Sequence, residues 1–155
     1  MVFNLPSGYK ITSGKRSEFF LLAEFAKLTY QEIFSSQDDY SHLTNTIHKL
    51  FSDQTPLWWV QTEDLQNIGC LWTGNAIDPL TNDRYTQIFL IFVRKKHRGK
   101  GIGTFLLQKA QEWAINRGDH QIGLQVFAQN QTAIALYQKL GFTTDSLLMR
   151  KPLSD

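Results

Sequence analysis

The residues best suited to chemistry in this chain lie between Gln87 and Ala114, in the stretch QIFLIFVRKKHRGKGIGTFLLQKAQEWA. An apolar run ends at Val93. A basic, glycine-rich turn follows from Arg94 to Gly103, and an amphipathic helix begins after it. The first-turn amides of a helix lack internal acceptors, and the aligned peptide dipoles favour negative charge there. A strand that feeds a glycine turn and then a helix N-terminus is therefore an arrangement for holding an anion. Arg94, Lys95, Lys96, His97, Arg98 and Lys100 crowd this turn.

Gly99, Gly101 and Gly103 alternate as in a dinucleotide fingerprint, but that pattern wants its third glycine at 104, where Thr104 stands. A phosphate-binding P-loop is also excluded: no Walker lysine is present, since neither Ser nor Thr follows Gly99-Lys100. On local grounds a plain surface turn remains open. Other chemistry is sparse. Cys70 is the single cysteine, so there is no internal disulfide framework and no cysteine-rich metal site, and its apolar neighbours mark it as core. His42, His48, His97 and His120 are scattered without metal-ligand spacing, and no metal is expected.

Arg98-Gly99-Lys100-Gly101-Ile102-Gly103 resembles the acyl-coenzyme A signature of the Gcn5-related N-acetyltransferases: Gln or Arg, two residues, Gly, one residue, Gly or Ala. Leu106 and Leu107 match the apolar pair that follows it. Asn130, Ala133, Leu136, Tyr137, Gly141 and Phe142 match the family's second signature in order and spacing. One departure is Lys95, where relatives often carry proline. The resemblance implies acetyl-CoA as acyl donor, with its pyrophosphate over the amides of Arg98, Gly99, Lys100, Gly101, Ile102, Gly103 and Thr104. Arg98 and Lys100 would add charge at the rim. The pantetheine arm would bond to backbone at Phe92, Val93 and Arg94, and near Phe127.

In this family an amine attacks the thioester directly, and no covalent enzyme nucleophile is needed. Tyr137 matches the tyrosine that protonates the leaving thiolate; its alternative role is packing on the inward stripe of its helix. Asn130 matches a residue near the pantetheine arm and is also a suitable helix N-cap. The general base is not identifiable. The central strand offers Gln87 and no carboxylate, while Glu63, Asp64, Asp78 and Asp83 lie in loops or at strand ends. A base acting through water would need no dedicated residue.

Hydrophobic periodicity predicts the elements that hold these residues. They are a strand at Gly8–Thr12; a helix from Ser17, as N-cap, to between Tyr30 and Phe34; a polar loop over Ser35–Asp39; and a helix at Tyr40–Phe51. Strands follow at Leu57–Thr62 and Ile68–Thr73, then a loop over Asn75–Arg84, the apolar strand Tyr85–Val93 and a helix over Gly101–Arg117 capped by Gly118. A strand at Ile122–Phe127, a helix at Asn130–Leu140 and a last strand at Phe142–Arg150 complete the order. This mixed order predicts an α/β (α+β mixed) fold, not regular βαβ alternation. The resemblance makes the expectation specific: one N-acetyltransferase domain over residues 1–155, with a central, mostly antiparallel mixed sheet flanked by helices.

The chain has 155 residues, 42% hydrophobic and 19% charged, which suits one globular domain with a real core. A net charge of +2 makes the molecule as a whole a poor polyanion binder, so nucleic-acid binding through residues 94 to 100 ranks last. The N-terminal residues lack a signal-peptide pattern and no apolar run is long enough to span a bilayer, so a cytoplasmic protein is the default. Phe19, Tyr30, Phe34, Trp58, Trp59 and Trp72 are candidates for an acceptor pocket, and adjacent Trp58 and Trp59 must face opposite ways on a strand. The acceptor is a primary amine of a small molecule or a protein. A non-catalytic acetyl-CoA-binding regulatory module is the alternative. An exposed last strand could pair with another subunit to form a homodimer.

Overall fold

The computed structural model describes residues 4–35 and 39–154. It has two compact units, residues 1–125 and 126–155. The first holds a five-stranded sheet in the order β1-β2-β3-β4-β5. Its strands are β1 (Tyr9–Ser13), β2 (Leu57–Thr62), β3 (Asn67–Ile77), β4 (Arg84–Val93) and β5 (Ile122–Leu124). Its helices are α1 (Phe19–Ile33), α2 (His42–Leu50) and α3 (Ile102–Arg117). The first three strand pairs are antiparallel and β4–β5 is parallel, giving the expected mixed sheet flanked by helices.

Two adjacent tryptophans show how the layers form. Trp59 meets Phe25 of α1 at 5.7 Å, within a core that also takes Leu22, Leu43, Ile47, Cys70, Trp72 and Phe92. Trp58 faces the other way, under Lys109 of α3 at 5.2 Å. Cys70 is fully buried, and burial pushes its thiol up, so it packs as a small apolar residue. Leu106, Leu107, Ala110 and Ala114 bury one stripe of α3, while Trp113 of the expected stripe is half-buried under the Arg117 guanidinium at 4.5 Å.

Several boundaries differ from expectation for local reasons. Ser17 is not an N-cap: it lies inside a 3₁₀ turn, Arg16–Glu18, because the Glu18 carboxylate accepts from the Lys15 amide at 2.7 Å and starts the turn earlier. Of the loop expected over Ser35–Asp39, positions 36–38 lie outside the described residues. β3 runs on through the expected loop, since Asn75, Ala76 and Ile77 pair with Thr86, Tyr85 and Arg84. Between Trp72 and Thr73 the β3–β4 register shifts, and Phe89 is the extra residue of this bulge. The Phe89 ring lies over Gly74, where an added Cβ would stand 2.0 Å from it.

The second unit holds α4 (Gln131–Lys139). The chain turns just before it, with the Asn130 amide donating to the Phe127 carbonyl at 2.9 Å, so residues 125–127 do not extend β5. The strand expected over Phe142–Arg150 is absent among the described residues. That stretch has polar residues from Thr143 to Ser146 and then consecutive apolar ones, without the alternation a half-buried strand needs.

Candidate functional site

β4 is paired along its whole length with β3 but only from Thr86 to Ile88 with β5. The Arg94 amide donates to the Ile68 carbonyl at 2.7 Å, which sets the alternation: Phe92 and Arg94 turn their backbone groups toward β3. Ile91 and Val93 turn theirs to the opposite side, where no described strand runs beside them. Of the strand-end residues expected to meet a pantetheine arm, Val93 alone thus has its backbone directed into the gap.

The turn after β4 begins with a 3₁₀ segment, Lys95–His97. Gly99 and Gly101 have φ of +77° and +83°, a left-handed conformation that costs other residues energy. Gly101 is the N-cap of α3 and no side chain caps the helix. The first helical bond runs from the Phe105 amide to the Gly101 carbonyl at 3.0 Å. The amides of Ile102, Gly103 and Thr104 precede it and have no acceptor within the helix. A Cβ at Gly103 would meet nothing within 4 Å, so no other described part of the chain packs on the helix at that point. The Ile102 side chain is buried and anchors this end.

Three of the turn's cations, Arg94, Arg98 and Lys100, are engaged with their own chain. Arg94 donates to the Asn67 carbonyl at 3.2 Å and lies 4.8 Å from the Phe25 ring and 3.9 Å from the Glu24 carboxylate. Arg98 donates through Nε to the Val93 carbonyl at 2.6 Å and to Glu32 at 2.7 Å. Lys100 donates to the Tyr9 hydroxyl at 3.1 Å. These side chains brace the turn against α1, β1 and β3, and none of them caps the first amides of α3. Tyr9, Glu24 and Glu32 carry this bracing; their sequence neighbourhoods hold no sign of it, since each partner is distant along the chain.

In the second unit, Asn130 is the N-cap of α4, its side-chain oxygen accepting from the Ala133 amide at 3.3 Å. Tyr137 lies on α4 with its ring 5.8 Å from that of Phe142. Burial pushes its phenol up, which keeps it protonated and able to donate.

Carboxylates considered as bases are occupied or at the surface. Asp64 accepts from the Thr62 hydroxyl, and Asp78 accepts from the Leu80 amide and Gln121, which hold it below the usual carboxylate range. Glu63 and Asp83 are exposed. Among the aromatics proposed for an acceptor pocket, Trp58, Trp59 and Trp72 are buried packing residues, the Phe19 ring meets His48 at a tilt with centroids 4.0 Å apart, and Tyr30 stacks on Tyr40 at 6.4 Å. The Phe34 carbonyl accepts from the Tyr40 hydroxyl at 3.2 Å. No cluster of metal-ligating side chains occurs among the described residues.

The sequence profile of the acetyltransferase (GNAT) family matches residues 20–142. The chain belongs to this family. A solved relative of this GNAT protein, a putative acetyl transferase from Pyrococcus furiosus, superposes with a TM-score of 0.74 at 28% identity, covering 94% of this chain and 99% of that one. The uncharacterized N-acetyltransferase YdgE of Bacillus subtilis is 34% identical over 62% of this chain and 60% of its own length. The mycothiol acetyltransferase of Corynebacterium efficiens is 30% identical over 62% of this chain, which spans only 33% of that protein. An aminoglycoside acetyltransferase from a soil metagenome shares the fold at a TM-score of 0.67 and 14% identity, covering 97% of this chain and 99% of that one. The family places the GNAT chain among acetyl-transferring proteins.

Proposed function

We propose that this protein transfers an acetyl group from acetyl-CoA to a primary amine of a small molecule or protein by direct attack of the amine on the thioester. One observation carries the donor reading: the open edge of β4 at Ile91 and Val93 leads into a left-handed glycine turn and then the uncapped amides of α3. Those residues fit the donor. The amides of Ile102, Gly103 and Thr104 would hold the pyrophosphate at the positive end of the helix dipole. The Val93 amide would bond the arm or polarise the thioester carbonyl. The Val93 carbonyl would be released by Arg98 if the arm uses it.

Tyr137 would give its proton to the departing thiolate, and Asn130 would line the arm. No side chain is assigned as base; the amine loses its proton to water or on binding. Residues 1–155 would act as one N-acetyltransferase domain, supported by a family match that continues across residues 125–126. A cytoplasmic location accords with the choice of donor, and no described helix is long and apolar enough to cross a membrane.

Release of free thiol from acetyl-CoA across a panel of polyamines, amino sugars, lysine peptides and free peptide N-termini tests the activity. Amine-dependent release supports it. Tight donor binding with no release across the panel would leave a coenzyme-binding module instead.

A further inference from the structure

We propose that Tyr9 is a positioning residue for the donor turn, acting through His97 and Lys100; the inference rests on the donor reading above. Tyr9 opens β1, the edge strand of the sheet, and stands 88 positions from His97 in sequence. Its hydroxyl lies 2.7 Å from His97 Nδ1 and 3.1 Å from Lys100 Nζ. The Tyr9 and His97 rings meet edge to face with centroids 5.6 Å apart, and the Lys100 ammonium stands 5.5 Å from the Tyr9 ring centroid.

The direction of the Lys100 hydrogen bond follows from the groups. An ammonium only donates, so Lys100 must give a proton to the phenol oxygen. The phenol's own proton is then free for His97 Nδ1, which accepts it on a lone pair. With Nδ1 protonated instead, the second lone pair of the phenol oxygen accepts from it, and the turn is held to Tyr9 in either tautomer.

The placement gives this contact its consequence. His97 closes the 3₁₀ segment of the turn, and Lys100 stands between the two left-handed glycines. One phenol oxygen therefore fastens the turn to the sheet on both sides of Gly99. Glycine has the widest backbone freedom, so an untethered turn would spread its amides over many directions. Converging them on one anion would then cost affinity, because order not built into the free protein must be supplied on binding.

The test is calorimetric binding of acetyl-CoA and of its 3′-dephospho analogue to wild-type protein and to Tyr9→Phe. The variant is expected to bind both donors roughly ten- to a hundredfold more weakly, the range for a lost hydrogen bond to a charged group. An equal loss for both donors supports a tether acting through the turn backbone. A loss confined to the 3′-phosphorylated donor would make Tyr9 and Lys100 a direct phosphate contact and overturn the positioning role. So would affinity within about twofold of wild type. His97→Ala leaves β1 unchanged and should lose the same factor. Nitrogen-15 NMR of histidine-labelled protein reads the contact directly: a His97 Nδ1 resonance that moves on Tyr9→Phe supports it, and one that does not move overturns it. If wild type binds neither donor, the donor reading itself falls, whatever the tautomer of His97.

Discussion

The two ends of α3 carry similar residues and treat them in opposite ways. At the C-terminal end the Gly118 amide donates to the Ala114 and Ile115 carbonyls and the Asp119 amide to Ala114. Asp119, its side chain 2% exposed, accepts from Thr86 at 2.6 Å and from Arg117 at 2.6 Å, with Arg84 at 3.4 Å. Arg117 also reaches Asn75 and Thr86. Charges at this end are consumed by one another and lock the helix to β3 and β4. At the N-terminal end Arg94, Arg98 and Lys100 are braced outward, and the helix amides are left without acceptors. Backbone amides thus reach the Ala114 and Ile115 carbonyls at one end, while no side chain caps the other. The open glycine end is the feature on which the proposed donor site rests.

If that contrast is right, substitutions at the two ends should fail in different assays. Asp119→Ala should give the largest effect, a stability loss of about 3–5 kcal/mol in denaturant unfolding, because it leaves the Arg117 charge partly buried and unpaired. Donor affinity of the fraction that remains folded should be nearly unchanged. Gly101→Val should do the reverse. A β-branched residue at φ of +83° costs stability modestly, about 1–2 kcal/mol, whereas acetyl-CoA affinity should fall roughly a hundredfold as the amides of the turn are displaced. Unchanged affinity in folded Gly101→Val protein would remove the phosphate role of the turn. Tyr137→Phe comes next, with turnover lowered about a hundredfold and donor affinity retained, as expected for a group needed only when thiolate charge develops. Equal turnover across the pH range would leave Tyr137 as a packing residue.

The contrast also explains what could be read from the sequence. The turn was legible because its chemistry is local: Arg98, Gly101 and Gly103 stand at short spacing between an apolar run and a helical stripe. Trp58 and Trp59 facing opposite layers followed from the period of a strand alone. The length of β3 was not legible, since Gly74 and Asn75 read as a break until the Phe89 bulge is seen to need a glycine beneath it. Asp119 reads as an ordinary loop residue after a capping glycine; its role depends on Arg84 and Thr86, which precede it by more than thirty positions. Tyr9 is hidden in the same way. What the sequence conceals here is long-range pairing of polar side chains, which leaves no periodicity.

The smallest effect separates the ends by pH. Burial alone would raise the Asp119 carboxyl, but hydrogen bonds from Arg117 and Thr86 and the nearby Arg84 and Arg117 charges outweigh it, and the group is held below its ordinary value. A carboxyl depressed in the folded state contributes stability that is complete above its unfolded value, about 3.9, and is lost as pH falls through the lower folded value. Wild-type stability should therefore be flat near neutrality from this source and decline in acid below about pH 4. Asp119→Asn keeps the shape but has no carboxyl to protonate, so its stability should be lower near neutrality and its acid decline shallower. The cradle amides do not titrate, and no such difference between the two proteins should appear in donor affinity measured at neutral pH. An acid decline equally steep in both would show that Asp119 is not the group whose protonation loosens this end of α3.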